Sequence, residues 1–270
     1  MYGAIIGDMV GAPYEFDQGE KIKDFILFDP RKRVRYTDDT AMTLAVAKGI
    51  MKAGACADEL SMKAAFVGCM QDIGNRYATG EYGGMFAKWL RNPDPQPYGS
   101  YGNGAAMRVS AVGWAFNSLE RTTEVARWSA EVSHDHPEGI KGAESVASAI
   151  YLARTGMGKD EIRKYIEECY GYNFSRTLDE IRPTYHHVES CQETVPEALT
   201  AFFEGVDFED VIRNAVSLGG DCDTLTCIAG AVGEAFYGVP EDMKKECMSR
   251  LPEEFLGIMA DFEQFIKEIS

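Results

Sequence analysis

Apolar positions recur along most of the chain at intervals of three and four, the spacing that places them on one face of a helix. The segment 40–51 shows the pattern well: Met42, Leu44, Ala45 and Ile50 are spaced for burial within a run of helix formers. The same period predicts helices over 60–70, 105–116, 123–132, 142–152, 159–169, 195–203, 208–216, 224–237 and 254–269. Ser61 and Thr122 are of the type that caps helix starts, and Pro240-Glu241-Asp242 reads as an acidic first turn after a proline. Strand-like alternation is confined to 25–28 and 33–36, and no strand–helix–strand spacing repeats. The pattern predicts an all-α protein.

Small residues stand inside several of these helices, at Gly7, Gly11, Gly113, Ala229, Gly230, Ala231 and Gly233. The glycines cost helix propensity, so their presence implies helices that approach one another closely in a buried bundle. The proline-rich stretch 92–97 runs straight into glycine-rich sequence and reads as a functional loop rather than a domain boundary. With no repeat and no low-complexity tract, residues 1–270 read as a single domain.

Composition narrows the classes. The chain has 270 residues, 45% hydrophobic and 26% charged, which excludes wholesale disorder. Its formal net charge of −16 has the wrong sign for a general binder of nucleic-acid backbones. Seven cysteines without a C-x-x-C pair suit a reducing compartment better than a disulfide framework. The first eight residues lack a basic region and are interrupted by Asp8, unlike a signal peptide. The apolar run 225–239 contains Glu234 and is too short for a bilayer. These features predict a soluble, cytoplasmic protein with no membrane partner.

Position then singles out the carboxylates. Tyr36-Thr37-Asp38-Asp39-Thr40 and Gly219-Gly220-Asp221-Cys222-Asp223-Thr224 each lie directly before an apolar helix, and Glu15 follows the apolar first helix and its Gly11-Ala12-Pro13 turn. One Asp at a helix start is explained by capping. Two adjacent carboxylates repel each other, however, and next to buried helices they need a compensating cation. Hard divalent ions take carboxylate, hydroxyl and carbonyl oxygens. Glu15, Asp38, Asp39, Asp221 and Asp223 together balance two divalent cations to within one charge. Capping and a dinuclear Mg²⁺ or Mn²⁺ site both remain open on spacing alone.

Three motifs in this order, T-D-D-T (37–40), G-S-Y-G-N-G-A-A-M-R (99–108) and S-L-G-G-D-C-D-T (217–224), resemble those of the ADP-ribosylglycohydrolases. The resemblance extends from Gly7-Asp8 and Tyr14-Glu15 to Phe236-Tyr237-Gly238. It implies a single-domain orthogonal helical bundle with two divalent cations, Mg²⁺ or Mn²⁺, at the base of a cleft. By this resemblance Thr37, Asp38 and Asp39 hold one metal, while Asp221, Asp223 and Thr224 hold or bridge to the second. Glu15 corresponds to a movable catalytic glutamate, with Asp38 and Asp223 completing the catalytic set. Gly99, Ser100, Tyr101, Gly102 and Asn103 correspond to a loop around the diphosphate and distal ribose, and His134 to a histidine facing the same region. Gly83, in Tyr82-Gly83-Gly84, corresponds to a second glycine-rich phosphate loop, in competition with Asp72 for one position of the alignment.

The implied reaction is hydrolysis of the bond between C1″ of ADP-ribose and a modified acceptor, through an oxocarbenium-like state. The 99–103 loop is closer to the serine-directed branch and His134-Asp135-His136-Pro137 to the arginine-directed one, with arginine slightly favoured. The partner is then an ADP-ribosylated protein or a small ADP-ribose derivative. A hydrolase of free compounds such as an O-acyl-ADP-ribose and a catalytically silent ADP-ribose binder are the competing readings. Among the remaining signals, Cys222 reads as packed, His186 and His187 as loop residues, and Trp89, Trp114 and Trp128 as core. His136 is divided between shaping the loop before Pro137 and touching substrate.

Overall fold

The helical period is realised along the whole chain in a computed structural model that describes residues 1–16, 21–78 and 80–269. The helices are α1 (Tyr2–Gly11), α2 (Asp38–Ala53), α3 (Glu59–Gly74), α4 (Gly84–Arg91), α5 (Gly104–Met107), α6 (Ser110–Ala115), α7 (Leu119–Glu131) and α8 (Pro137–Arg154). They continue as α9 (Lys159–Tyr170), α10 (Leu178–Ile181), α11 (Cys191–Glu204), α12 (Phe208–Val216), α13 (Cys222–Tyr237), α14 (Glu241–Met248) and α15 (Glu253–Ile269). Among the described residues there is no strand, only an isolated antiparallel bridge between Gly102 and Ser190. The all-α expectation holds.

The extended pieces at 25–28 and 33–36 do not pair with each other. Arginines take up their backbone acceptors instead: Arg213 Nη1 donates to the carbonyls of Lys23 and Phe25 at 2.8 and 2.7 Å, and Arg250 Nη1 to that of Val34 at 3.2 Å. The predicted helix 105–116 is broken into α5 and α6, where Arg108 and Val109 adopt ψ near −5° and the chain tightens into i+3 turns. Two caps also fall earlier than Ser61 and Thr122. Asp58 accepts from the Ser61 N–H at 2.8 Å, and Ser118 accepts from the Arg121 N–H at 3.2 Å while Thr122 is buried.

α13 is the centre of the bundle, packed against α1, α8, α11 and α12. Its closest neighbour is α1, and the reason is glycine. A Cβ added at Gly3 would run into the Gly230 carbonyl, one at Gly7 into that of Thr226, and one at Gly11 into that of Cys222. The α1 positions rise by four as the α13 positions fall by four, so the two backbones touch along an antiparallel seam. That contact brings the end of α1 alongside the start of α13, where the second acidic motif lies. Gly113 likewise has no room for a Cβ against Ile150 of α8, as expected from its place inside a helix.

Candidate active site

Asp8 lies inside α1, fully buried. An unpaired carboxylate there is costly, and four donors from the start of α2 offset the cost. The Thr37 N–H and hydroxyl donate to it at 2.9 and 2.7 Å, the Thr40 N–H at 3.1 Å, and the Thr40 hydroxyl by a short contact. Asp8 thus ties the T-D-D-T segment to α1, with its oxygens occupied by the protein. Burial still pushes its carboxyl up to about 6.

The two acidic motifs converge. Oxygens of Asp8, Asp39 and Asp223 lie within 4.8 Å of one another, as do oxygens of Glu15, Asp221 and Asp223, so Asp223 belongs to both groups. The Thr224 hydroxyl reaches Asp39 Oδ2 at 3.3 Å, joining the starts of α13 and α2. Gly219 and Gly220 both carry positive φ, 71° and 74°, which turns the chain sharply so that Asp221 and Asp223 face the same side. Asn103 Nδ2 holds Asp221 Oδ2 at 2.7 Å.

Among the described residues the cluster has no ion-paired base, and His187 and Arg35 act on its edge at Glu15 from beyond ion-pair distance. Among the described residues none of the ion pairs involves Asp8, Glu15, Asp38, Asp39, Asp221 or Asp223. Asp39 Oδ1 is buried without a hydrogen-bond partner. Burial, reinforced by neighbouring carboxylates, raises Asp39 and Asp223 well above the usual range and Asp38 to about 8. Glu15, half-buried, is pushed up to about 7 by desolvation and by Asp221. An orphaned buried oxygen, all-oxygen donors and uncompensated charge fit hard divalent cations.

These groups form one end of a cleft of about 540 Å³. Of the residues singled out from sequence, Glu15, Asp38, Asp39, Gly83, Ser100, Gly102, Asn103, His134, Asp221, Asp223 and Thr224 line it. Thr37 sits beneath the floor against Asp8, and Gly99 and Tyr101 stand outside the wall. The Gly99 N–H is bound by Asp135 at 2.6 Å, and the Tyr101 ring packs edge-on against His136. His136 accepts from the Glu138 N–H and so caps α8. Asp72 pairs with Lys48 and Arg76 on the surface and is not among the lining residues, whereas the 81–84 segment is. Cys222 is packed, its thiol turned to the Val216 carbonyl and Thr226.

Several residues of the site region escaped the sequence reading, Phe86, Lys88 and Tyr98 among them. Asp8 could have been noticed as a charge inside an apolar, glycine-rich helix. His187, read as a loop residue, lines the cleft with its ring 4.9 Å from that of Phe16. Glu81 lies on the rim, ion-paired with Arg35. Arg108, inside a quoted motif but given no role, lines the cleft while being only 1% exposed.

An all-α bundle thus brings carboxylates from two helix starts into a cleft that glycines also line. The chain belongs to the ADP-ribosylglycohydrolase family, a family of glycosidic-bond hydrolases, whose profile matches residues 1–268. It is 28% identical to the ADP-ribosylhydrolase ARH3 of Mus musculus, over 91% of this chain and 85% of that one. It is 27% identical to the ADP-ribosylarginine hydrolase Tri1 of Pseudomonas putida, over 93% of this chain and 74% of that one. A solved ADP-ribosylglycohydrolase-related protein complex shares the fold, with a TM-score of 0.66 at 23% identity, covering 98% of this chain and 92% of that one. No helix among the described residues is long and apolar enough to cross a membrane.

Proposed function

We propose that this chain, acting as one unit, hydrolyses the bond between C1″ of ADP-ribose and a modified side chain. The observation that carries the reading is the pair of carboxylate groups sharing Asp223 in the floor of the cleft. Two divalent cations fit there, held by Thr37, Asp38, Asp39, Asp221, Asp223 and Thr224. When bound they supply Lewis acidity and charge neutralisation at the sugar hydroxyls. The Thr37 hydrogen is committed to Asp8, which leaves its oxygen an acceptor.

Glu15 is the proton-handling group. It is the half-buried carboxyl grouped with Asp221 and Asp223, and a carboxylate there can accept a proton from water and return it. It takes the proton of the water that attacks C1″; the bond to the acceptor breaks, and the proton is returned to the leaving group. The diphosphate is assigned to the opposite wall. Gly83 begins α4 without a side-chain cap, leaving first-turn N–H groups open, and Gly102 adds backbone without a Cβ. Ser100 and Asn103 frame the same wall, and Gly99 and Tyr101 support the loop from outside.

An arginine-linked acceptor is favoured over a serine-linked one. The relative named an ADP-ribosylarginine hydrolase supports this, and the loop motif 99–103 favours the serine alternative. The deciding experiment measures ADP-ribose release from arginine-linked peptide, serine-linked peptide and O-acetyl-ADP-ribose, each with Mg²⁺ or Mn²⁺. Release from the arginine-linked peptide above all supports the full proposal. Fastest turnover of the free ester replaces it with the small-molecule reading, and tight ADP-ribose binding without release from any substrate makes the protein a binder.

A further inference from the structure

The cleft is also lined by a cation that no ion pair among the described residues compensates. Arg108 is buried, and none of the ion pairs among the described residues includes it. Its Nη2 donates to the Ser129 carbonyl at 2.6 Å and to Ser133 Oγ at 2.9 Å. Ser133 Oγ in turn lies 2.8 Å from His134 Nδ1. Phe86 closes the group from α4, its ring 5.6 Å from the Arg108 guanidinium and 5.9 Å from the His134 ring. Tyr98 packs on the imidazole with ring centroids 5.7 Å apart. The charged or titratable groups facing His134 from its surroundings are therefore Arg108 and Tyr98.

Hydrogen counting fixes the polarity of this chain. Guanidinium nitrogens only donate, so Ser133 Oγ accepts from Arg108. The Ser133 hydroxyl has one hydrogen, and its side chain is fully buried. Among the described contacts, the acceptor within its reach is His134 Nδ1. If Nδ1 carried the proton instead, the serine hydrogen would be buried without an acceptor, at a cost of about 1–3 kcal/mol. The ring hydrogen is thereby placed on Nε2. That nitrogen faces the glycine loop: a Cβ at Gly104 would stand 3.2 Å from it and one at Gly102 3.4 Å. Burial and the adjacent guanidinium both hold the ring neutral, the same state the hydrogen bonds select.

We propose that Arg108 and Ser133 are positioning residues that lock His134 as a neutral Nε2–H donor aimed into the cleft, where it grips an anionic oxygen of the ligand's diphosphate. The ligand part rests on the function proposed above. The lock itself is a property of the ligand-free protein. Glycines at 102 and 104 leave room for the donor, so the 99–108 motif supplies both the space and, through Arg108, the orientation of the histidine beside it.

The test is nitrogen-15 NMR of histidine-labelled full-length protein, with ADP-ribose binding by calorimetry in parallel. The wild type is expected to show the Nε2–H tautomer at position 134 from pH 6 to 8, identified by loss of its signal in His134→Gln. Ser133→Ala should give a mixed tautomer and about tenfold weaker ADP-ribose binding, the size of one charge-assisted hydrogen bond. Ser133→Thr, which keeps the hydroxyl, should restore both, and this rescue separates orientation from packing. An Nδ1–H tautomer in the wild type, or an unchanged tautomer and affinity in Ser133→Ala, overturns the proposal. A locked tautomer in a protein that does not bind ADP-ribose overturns the assignment of the ligand, and with it the proposed function, while leaving the lock standing.

Discussion

The two sets of charged groups that line the cleft solve opposite electrostatic problems. At the floor, Asp38, Asp39, Asp221 and Asp223 gather negative charge with no basic partner, and Asp39 keeps an oxygen unsatisfied. At the wall, Arg108 is buried without a carboxylate, and the groups around it are glycine backbone, Ser133 and neutral His134. Under the proposals above, the floor is a site whose charges would be completed from outside, whereas the wall is made of donors whose direction the protein itself fixes. In a chain of net charge −16, the cleft is also lined by the basic side chains of Arg108 and Lys88, and under the proposed function these and the fixed backbone dipoles face the ligand's diphosphate.

The comparison breaks most visibly by removing one shared oxygen ligand. Asp223→Asn is expected to lower hydrolysis on the order of 10³-fold, measured as ADP-ribose release, because both carboxylate groups use this residue. Retention of full activity would dismantle the cation assignment.

Thermal unfolding gives the next effect, of about the same size as the scaffold change that follows it. Saturating Mg²⁺ or Mn²⁺ should raise Tm by roughly 5–10 °C, from about 2.7 kcal/mol of linkage at a hundredfold excess over Kd. The pH dependence has a definite sign. Carboxyls at about 6 to 8 in the folded protein, against about 4 unfolded, hold protons that the unfolded chain has released. Chelated protein therefore loses stability as pH rises from 5 to 8, and the cation-induced gain is larger at pH 8 than at pH 5.5. An equal shift at both pH values would show that protons and cations do not compete for the same oxygens.

Gly7→Ala separates scaffold from chemistry. The added methyl meets the Thr226 carbonyl, so stability in urea should fall by about 3 kcal/mol. The smallest expected effect belongs to the wall: His134→Ala should raise KM about tenfold with little change in kcat, as loss of one hydrogen bond made equally before and during reaction.

The fold was largely legible because periodicity reports burial, and the bundle buries nearly every helix on one face. What escaped depended on contacts distant in sequence. Arginines from α12 and the turn after α14 consume the carbonyls that a strand pair at 25–36 would have needed. α4 does carry the helical spacing at Phe86, Trp89 and Leu90, but over eight residues between a glycine pair and the proline-rich stretch it is too short to stand out. In the site, paired Asp residues at helix starts were readable because the pairing itself exceeds what a cap requires. Asp8 left a trace, a charge inside an apolar helix, but His187 and Arg108 did not, since each is an ordinary residue until Phe16 and the α7–α8 turn are brought beside them.

The glycine seam between α1 and α13 has a bearing on what ions the floor can accept. Main chain rests on main chain at Gly7 and Gly11, so the gap between the helix that anchors T-D-D-T and the helix that begins with Asp221 is a distance no side-chain rotamer can adjust. The aperture is cast in backbone before any ion arrives. If the proposed cations bind, their spacing is therefore set in part by positions that never touch them.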